Sequence, residues 1–140
     1  MSDVVQRDLF TKRWRKVRAP EPSEFQFQAS LVKQWQYLRR AGVIMFAVPN
    51  GELRDKRAAA KLKAMGVLPG VADLIFLWAT GTTVRVLFLE LKAKGRGLSD
   101  AQRWFRDNVR MIRCYFEVAD NIDEALNILR KYHLLRGTNV

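Results

Sequence analysis

Glu90-Leu91-Lys92 closes an otherwise apolar, strand-like run from Thr83 to Lys92. In a strand, residues i and i+2 face the same way, so Glu90 and Lys92 project together while Leu91 points to the opposite face and can fill a core. Charges on one face of a buried strand are costly unless they are paired or hold a metal ion. Asp73 opens a second apolar run, Ala72 to Ala79, and the break at Gly81 makes the two runs an antiparallel hairpin. That pairing sets the start of one strand beside the end of the other, so Asp73 and Glu90 converge at one sheet edge. Two carboxylates and a lysine suit Mg²⁺, which takes oxygen ligands and keeps several waters. Such an ion generates hydroxide and stabilises charge on a scissile phosphate. A lysine ammonium can orient or deprotonate the attacking water. A plain salt bridge of Lys92 with Asp73 or Glu90 explains the same residues without chemistry.

The rest of the composition narrows the choice. With one cysteine (Cys114) and one histidine (His133), the chain has neither an internal disulfide nor the ligands of a zinc site. Catalysis by paired histidines or a serine triad is equally poorly served. Cys114 reads as a core residue in the run Cys114–Val118, and His133 as a surface or capping residue. Hydrolytic chemistry must therefore come from carboxylates, lysine and a hard metal ion. The net charge of +11 on 140 residues points to a polyanion, with nucleic acid ahead of an anionic membrane surface. No stretch approaches the ~18 apolar residues of a membrane span, and the first residues lack an apolar run followed by small residues, so no secretory signal is expected. The expectation is a soluble, cytoplasmic protein of a bacterial or phage-infected cell.

The elements that must position these residues can be read from caps and periodicity. Residues 1–22 form a basic arm, expected to be partly disordered or a loosely docked helix anchored by Phe10 and Trp14. Ser23-Glu24-Phe25-Gln26 has capping-box spacing and opens a helix to about Arg40, with Phe27, Leu31, Trp35 and Leu38 on one face. Val43 to Val48 reads as a strand ended by Pro49, Asn50-Gly51 as a turn, and Asp55 to Met65 as a short helix. After the hairpin, Ser99-Asp100-Ala101-Gln102 is a second capping box, opening a helix to about Ile112. Cys114 to Val118 is the fourth strand, expected to run parallel to its neighbour after a helical crossover. Asn121 to Tyr132 is the last helix. The order α-β-α-β-β-α-β-α describes one α/β domain over residues 23–136, a short mixed sheet flanked by helices, with residues 137–140 as a tail.

Pro69-Gly70-Val71-Ala72-Asp73-Leu74 followed by Phe88-Leu89-Glu90-Leu91-Lys92-Ala93-Lys94 resembles the PD-(D/E)XK nuclease signature. More narrowly, the chain is similar to the VRR-NUC (virus-type replication-repair nuclease) family. Glu24, Pro49-Asn50-Gly51, Lys63-Ala64-Met65-Gly66 and Leu98-Ser99-Asp100-Ala101-Gln102 fall in the family's order. The resemblance implies a restriction-endonuclease-like α-β-β-β-α-β core and Mg²⁺- or Mn²⁺-dependent cleavage of DNA phosphodiesters. It assigns Asp73, Glu90 and the Leu91 carbonyl to the metal and Lys92 to the water. Glu24 would add a carboxylate from the opposite wall, behind the direct ligands or at a second ion; a helix-dipole role explains it equally. Gln102 is placed beside the site, where capping also accounts for it. Asn50, Arg54, Lys94 and Arg96 are candidate nucleic-acid contacts, against readings as turn or solvated residues. Ala72 stands where the signature often has proline, a position that shapes backbone and binds nothing.

The resemblance further implies a structure-selective endonuclease of branched DNA, such as four-way junctions, in phage or mobile-element replication and repair. A homodimer would supply the two twofold-related sites that symmetrical cutting needs. Trp14, Leu134 and Leu135 are candidate interface residues, and a helicase or other repair protein a candidate partner. The alternatives are a non-catalytic nucleic-acid-binding module on the same fold and an RNA-directed nuclease.

Overall fold

The computed structural model describes residues 3–7, 14–18, 22–49 and 56–137. Two capping boxes set the helices that matter most. Ser23 and Gln26 exchange side-chain and backbone hydrogen bonds at the start of α1 (Glu24–Leu38), and Ser99 and Gln102 do the same at α3 (Asp100–Met111). Each box satisfies two N–H groups that the first turn otherwise leaves orphaned.

The main sheet has four strands in the order β3-β4-β5-β6: Ile44–Ala47, Leu74–Thr80, Thr83–Leu91 and Tyr115–Ala119. β3 and β5 flank β4 antiparallel, and β6 runs parallel to β5 after the α3 crossover. The β4–β5 register pairs Leu74 with Leu89 and Thr80 with Thr83 across the Gly81 turn. One face buries Leu74, Phe76, Trp78, Leu87, Leu89 and Leu91 against Phe27, Leu31 and Trp35 of α1 and Ala125, Leu126 and Leu129 of α4 (Ile122–Lys131). On the other face, Phe105 and Val109 of α3 pack on Phe116, Phe88 and Ala72. Helices thus cover both faces, the mixed α/β architecture expected from the sequence. Between β3 and β4 lies α2 (Lys56–Ala64), none of whose residues is fully buried.

Two details differ from the sequence reading. Leu134 and Leu135 belong to the core, at 0% and 3% exposure, so they are not available as interface residues. The chain turns back after α4, Arg40 N–H donating to the Leu134 carbonyl, and Arg39 and Leu135 form a bridge. Of the basic arm, the described residues form two short antiparallel strands, β1 (Asp3–Arg7) and β2 (Trp14–Arg18), where a docked helix was one expectation; Phe10 lies outside the described residues. Cys114 is half-buried at the edge of the second core cluster, and His133 is exposed with φ 57°. Among the described residues, no helix is long and apolar enough to cross a membrane.

Candidate active site

Continuing the β4–β5 register one step beyond Leu74–Leu89 sets Asp73 opposite Glu90, on the α3 side of the sheet. The hairpin geometry delivers the convergence that the sequence calls for. Asp73 Oδ2 accepts the Leu91 N–H at 2.8 Å, which ties the aspartate to the end of β5. Its own carbonyl accepts the Val48 N–H at 2.9 Å, so the end of β3 also closes on this residue.

Glu90 is buried at 2% exposure, the only charged residue so buried among those described. Its Oε1 accepts from Gln102 Nε2 at 2.6 Å and lies 3.0 Å from Lys92 Nζ. Its Oε2 is buried and has no hydrogen-bond partner. A carboxylate oxygen left unsatisfied inside a protein carries a desolvation cost of roughly 1–3 kcal/mol or more. Such an atom calls for a function or an unseen ligand. Burial is the largest influence on Glu90, the Asp73 charge adds to it, and together they push its pKa up to about 7 despite the opposing Lys92. Asp73 is also raised, by burial first, with the Leu91 N–H and Lys92 acting in the other direction. Two carboxylates that resist ionisation side by side are what a cation relieves.

Glu24 reaches the same end of the sheet from α1, its Oε1 accepting the Ala93 N–H at 3.2 Å just past Lys92. Ser23 and Gln26 perform the capping, and the Glu24 charge is felt at both Asp73 and Glu90. Gln102 does two things at once. Its Oε1 accepts the Ser99 N–H of the capping box at 2.9 Å, and its Nε2 holds Glu90. The structure thus gathers Asp73, Glu90, Lys92, Glu24 and Gln102, with Leu91 contributing backbone.

A cavity of about 80 Å³ opens beside them, lined by Glu24, Lys92, Lys94, Asp120 and Asn121 among others. Lys94 therefore borders the site, while Arg96 is exposed in the following loop. Asn50 and Arg54 lie outside the described residues.

Asp120 and Asn121, at the N-terminus of α4, carried no motif, and only tertiary packing brings them to this cavity. Gly70 was legible only as a turn. It adopts φ +83°, and a Cβ there would come within 2.4 Å of the Ala101 carbonyl carbon and 2.8 Å of Gln102 N. The turn before Asp73 is thus pressed against the first turn of α3, fixing the aspartate relative to Gln102.

Among the described residues, no three Asp, Glu, His or Cys side chains form a ready-made metal cage. Mg²⁺ does not need one, since it is commonly held by one or two carboxylates and keeps waters. The partnerless Oε2 of Glu90 next to Asp73 fits such an ion, and the all-oxygen donor set favours Mg²⁺ or Mn²⁺ over softer metals.

Comparison with known proteins bears on the family and the fold. The family model described as VRR-NUC domain matches residues 15–121. A solved structure titled VRR_NUC domain protein superposes with a TM-score of 0.64 and 21% identity, over 81% of this chain and 89% of its own. At that identity the likeness speaks for the fold. No curated protein matches the chain.

Proposed function

This chain belongs to the VRR-NUC domain family, a family of nuclease type, and on that premise we propose that it is a Mg²⁺- or Mn²⁺-dependent DNA endonuclease. The observation that carries the reading is the buried Glu90 carboxylate beside Asp73, with one oxygen engaged by Gln102 and Lys92 and the other left without a partner.

Asp73, Glu90 and the Leu91 carbonyl would hold the cation, with Glu24 behind them or at a second ion. Bound there, such a cation would supply an acidified water and charge neutralisation at the scissile phosphate. The protein's own groups do the positioning. Gln102 fixes the Glu90 carboxylate, and the Leu91 N–H fixes Asp73. Lys92, half-buried against Glu90, orients the attacking water and meets charge developing on the phosphate. Lys94 and Arg96, in the loop after β5, would contact the phosphodiester backbone.

The large positive charge suits a DNA substrate. Branched DNA, such as a four-way junction, and a homodimer presenting two sites complete the reading. Mn²⁺ titration followed by electron paramagnetic resonance tests the centre directly. Wild type should bind the ion, and Glu90→Gln should bind it at least tenfold more weakly. Equal binding by the two would exclude Glu90 as a ligand.

A further inference from the structure

The 49–72 connection between β3 and β4 leaves the sheet and returns to it at the candidate active centre. Val48 N–H donates to the Asp73 carbonyl where its two limbs meet, and Gly70 on the returning limb is pressed against Ala101 and Gln102. Within this excursion stands α2, with the sequence Lys-Arg-Ala-Ala-Ala-Lys-Leu-Lys-Ala. It carries four basic residues and no acidic one.

At about 100° per residue, Lys56, Arg57, Lys61 and Lys63 fall within an arc of roughly 160°. Ala58, Ala59 and Leu62 fall on the opposite side, and they are the half-buried residues of the helix. Lys56, Lys61 and Lys63, on the cationic arc, are exposed. Ala60 and Ala64 lie between the cations on that arc, which leaves the surface low enough for a backbone to approach closely. A helix of nine residues gains little stability of its own. A like-charged row on such a helix weakens it further; Lys61 and Lys63 in the last turn are offset by the helix dipole, but Lys56 and Arg57 at its start are not.

We infer that α2 is a docking surface for the phosphate backbone of substrate DNA flanking the scissile bond. The inference rests on the nuclease reading above and adds a recognition element to it. Eight residues separate Ala64 from Asp73, nine Cα–Cα steps with a chain reach of about 30 Å. Each DNA strand carries a phosphate about every 3.4 Å of axis, so α2 would meet DNA within about ten nucleotides of the cut. The occupant is a polyanion because the surface is cationic and interleaved only with alanine. Because it offers no hydrogen-bonding side chain to base edges other than cations, it would position DNA without reading sequence.

The test measures binding of the full chain to a labelled four-way junction and a plain duplex, without added metal, across a salt series. Lys56→Ala/Lys61→Ala/Lys63→Ala is compared with Lys33→Ala/Arg39→Ala/Arg130→Ala, which removes the same charge from α1, its cap and α4. Alanine favours helix, and far-UV circular dichroism checks that both variants fold. The α2 variant should bind at least tenfold more weakly at 100 mM salt, with a log–log salt slope shallower by about 3. The control should keep the wild-type slope. Equal losses in both variants, an unchanged slope in the α2 variant, or no binding by wild type would overturn the inference. Failure of the wild type to cleave in Mg²⁺ or Mn²⁺ would count against the nuclease reading and leave the salt-slope comparison standing.

Discussion

Gln102 joins the fold to the chemistry: its Oε1 caps α3 by accepting the Ser99 N–H, and its Nε2 lies 2.6 Å from Glu90 Oε1. One amide thereby couples the start of a helix to the orientation of a buried carboxylate, and the coupling can be dissected. Ser99→Ala removes the cap and leaves the Glu90 contact available, costing about 1 kcal/mol of stability. Its effect on Mn²⁺ affinity should be small. Gln102→Ala removes both contacts and should lose a similar stability but 10- to 100-fold in metal affinity. Thermal melts and metal titrations of the two variants check this. Equal metal affinity in both would reduce Gln102 to a capping residue.

The protonation of Glu90 sets a pH dependence with a defined sign. Its folded pKa, about 7, lies above the ordinary value of 4.5. A raised folded pKa contributes stability that is fully present below the unfolded pKa and lost as pH rises through the folded one. The metal-free protein should therefore lose stability between pH 4.5 and about 7, and the raised Asp73 acts in the same direction. Glu90→Gln keeps an oxygen for Gln102 and Lys92 but no ionisation. At pH 8 it should be more stable than metal-free wild type by the order of 2 kcal/mol, with little difference at pH 5. Chemical denaturation at both pH values measures this. Wild type gaining stability from pH 5 to 8 relative to Glu90→Gln would contradict the burial argument.

Cation binding should show the matching linkage. A divalent ion requires ionised carboxylates, so its affinity should rise with pH up to about 7 and its binding should release protons. Calorimetric titration of Mg²⁺ or Mn²⁺ at pH 6.5 in two buffers of different ionisation enthalpy reads the released protons. Affinity independent of pH between 5.5 and 8 would place the ion elsewhere.

Gly70 and Gly66 form an informative pair. Both have positive φ, but a Cβ at Gly66 meets nothing within 4 Å, whereas one at Gly70 would collide with the backbone of Ala101 and Gln102. Gly66→Ala should cost about 1–2 kcal/mol of backbone strain. Gly70→Ala should cost more and also weaken metal binding, because the first turn of α3 must move and carry Gln102 with it. Paired denaturation and metal titration decide the matter. Gly70→Ala behaving like Gly66→Ala would show that the contact yields without disturbing the site.

Much of this arrangement was legible in the sequence because it rests on local rules. Two Ser-x-x-Gln boxes marked the starts of α1 and α3. The period of two put Glu90 and Lys92 on one face, and the Gly81 break brought Asp73 to them. What escaped notice depends on contacts between distant segments. Leu134 and Leu135 follow the last helix without periodicity, and only the return of the chain onto Arg39 and Arg40 buries them. The pairing of Glu24 with the Ala93 N–H spans most of the domain. Gly70 was readable as a turn, but its close approach to α3 is a property of tertiary packing. In the arm, β1 and β2 pair without a strong turn signal between them.

The most direct test of the central claim is cleavage of labelled four-way junction, flap and duplex DNA in Mg²⁺, Mn²⁺ or EDTA by wild type and Lys92→Ala. Wild type should cut in either metal and not in EDTA, and Lys92→Ala should lose on the order of 10²-fold or more while still binding DNA. Paired symmetrical cuts in the junction would support two sites in a dimer. Absence of cleavage in both metals, or undiminished cleavage by Lys92→Ala, would contradict the account.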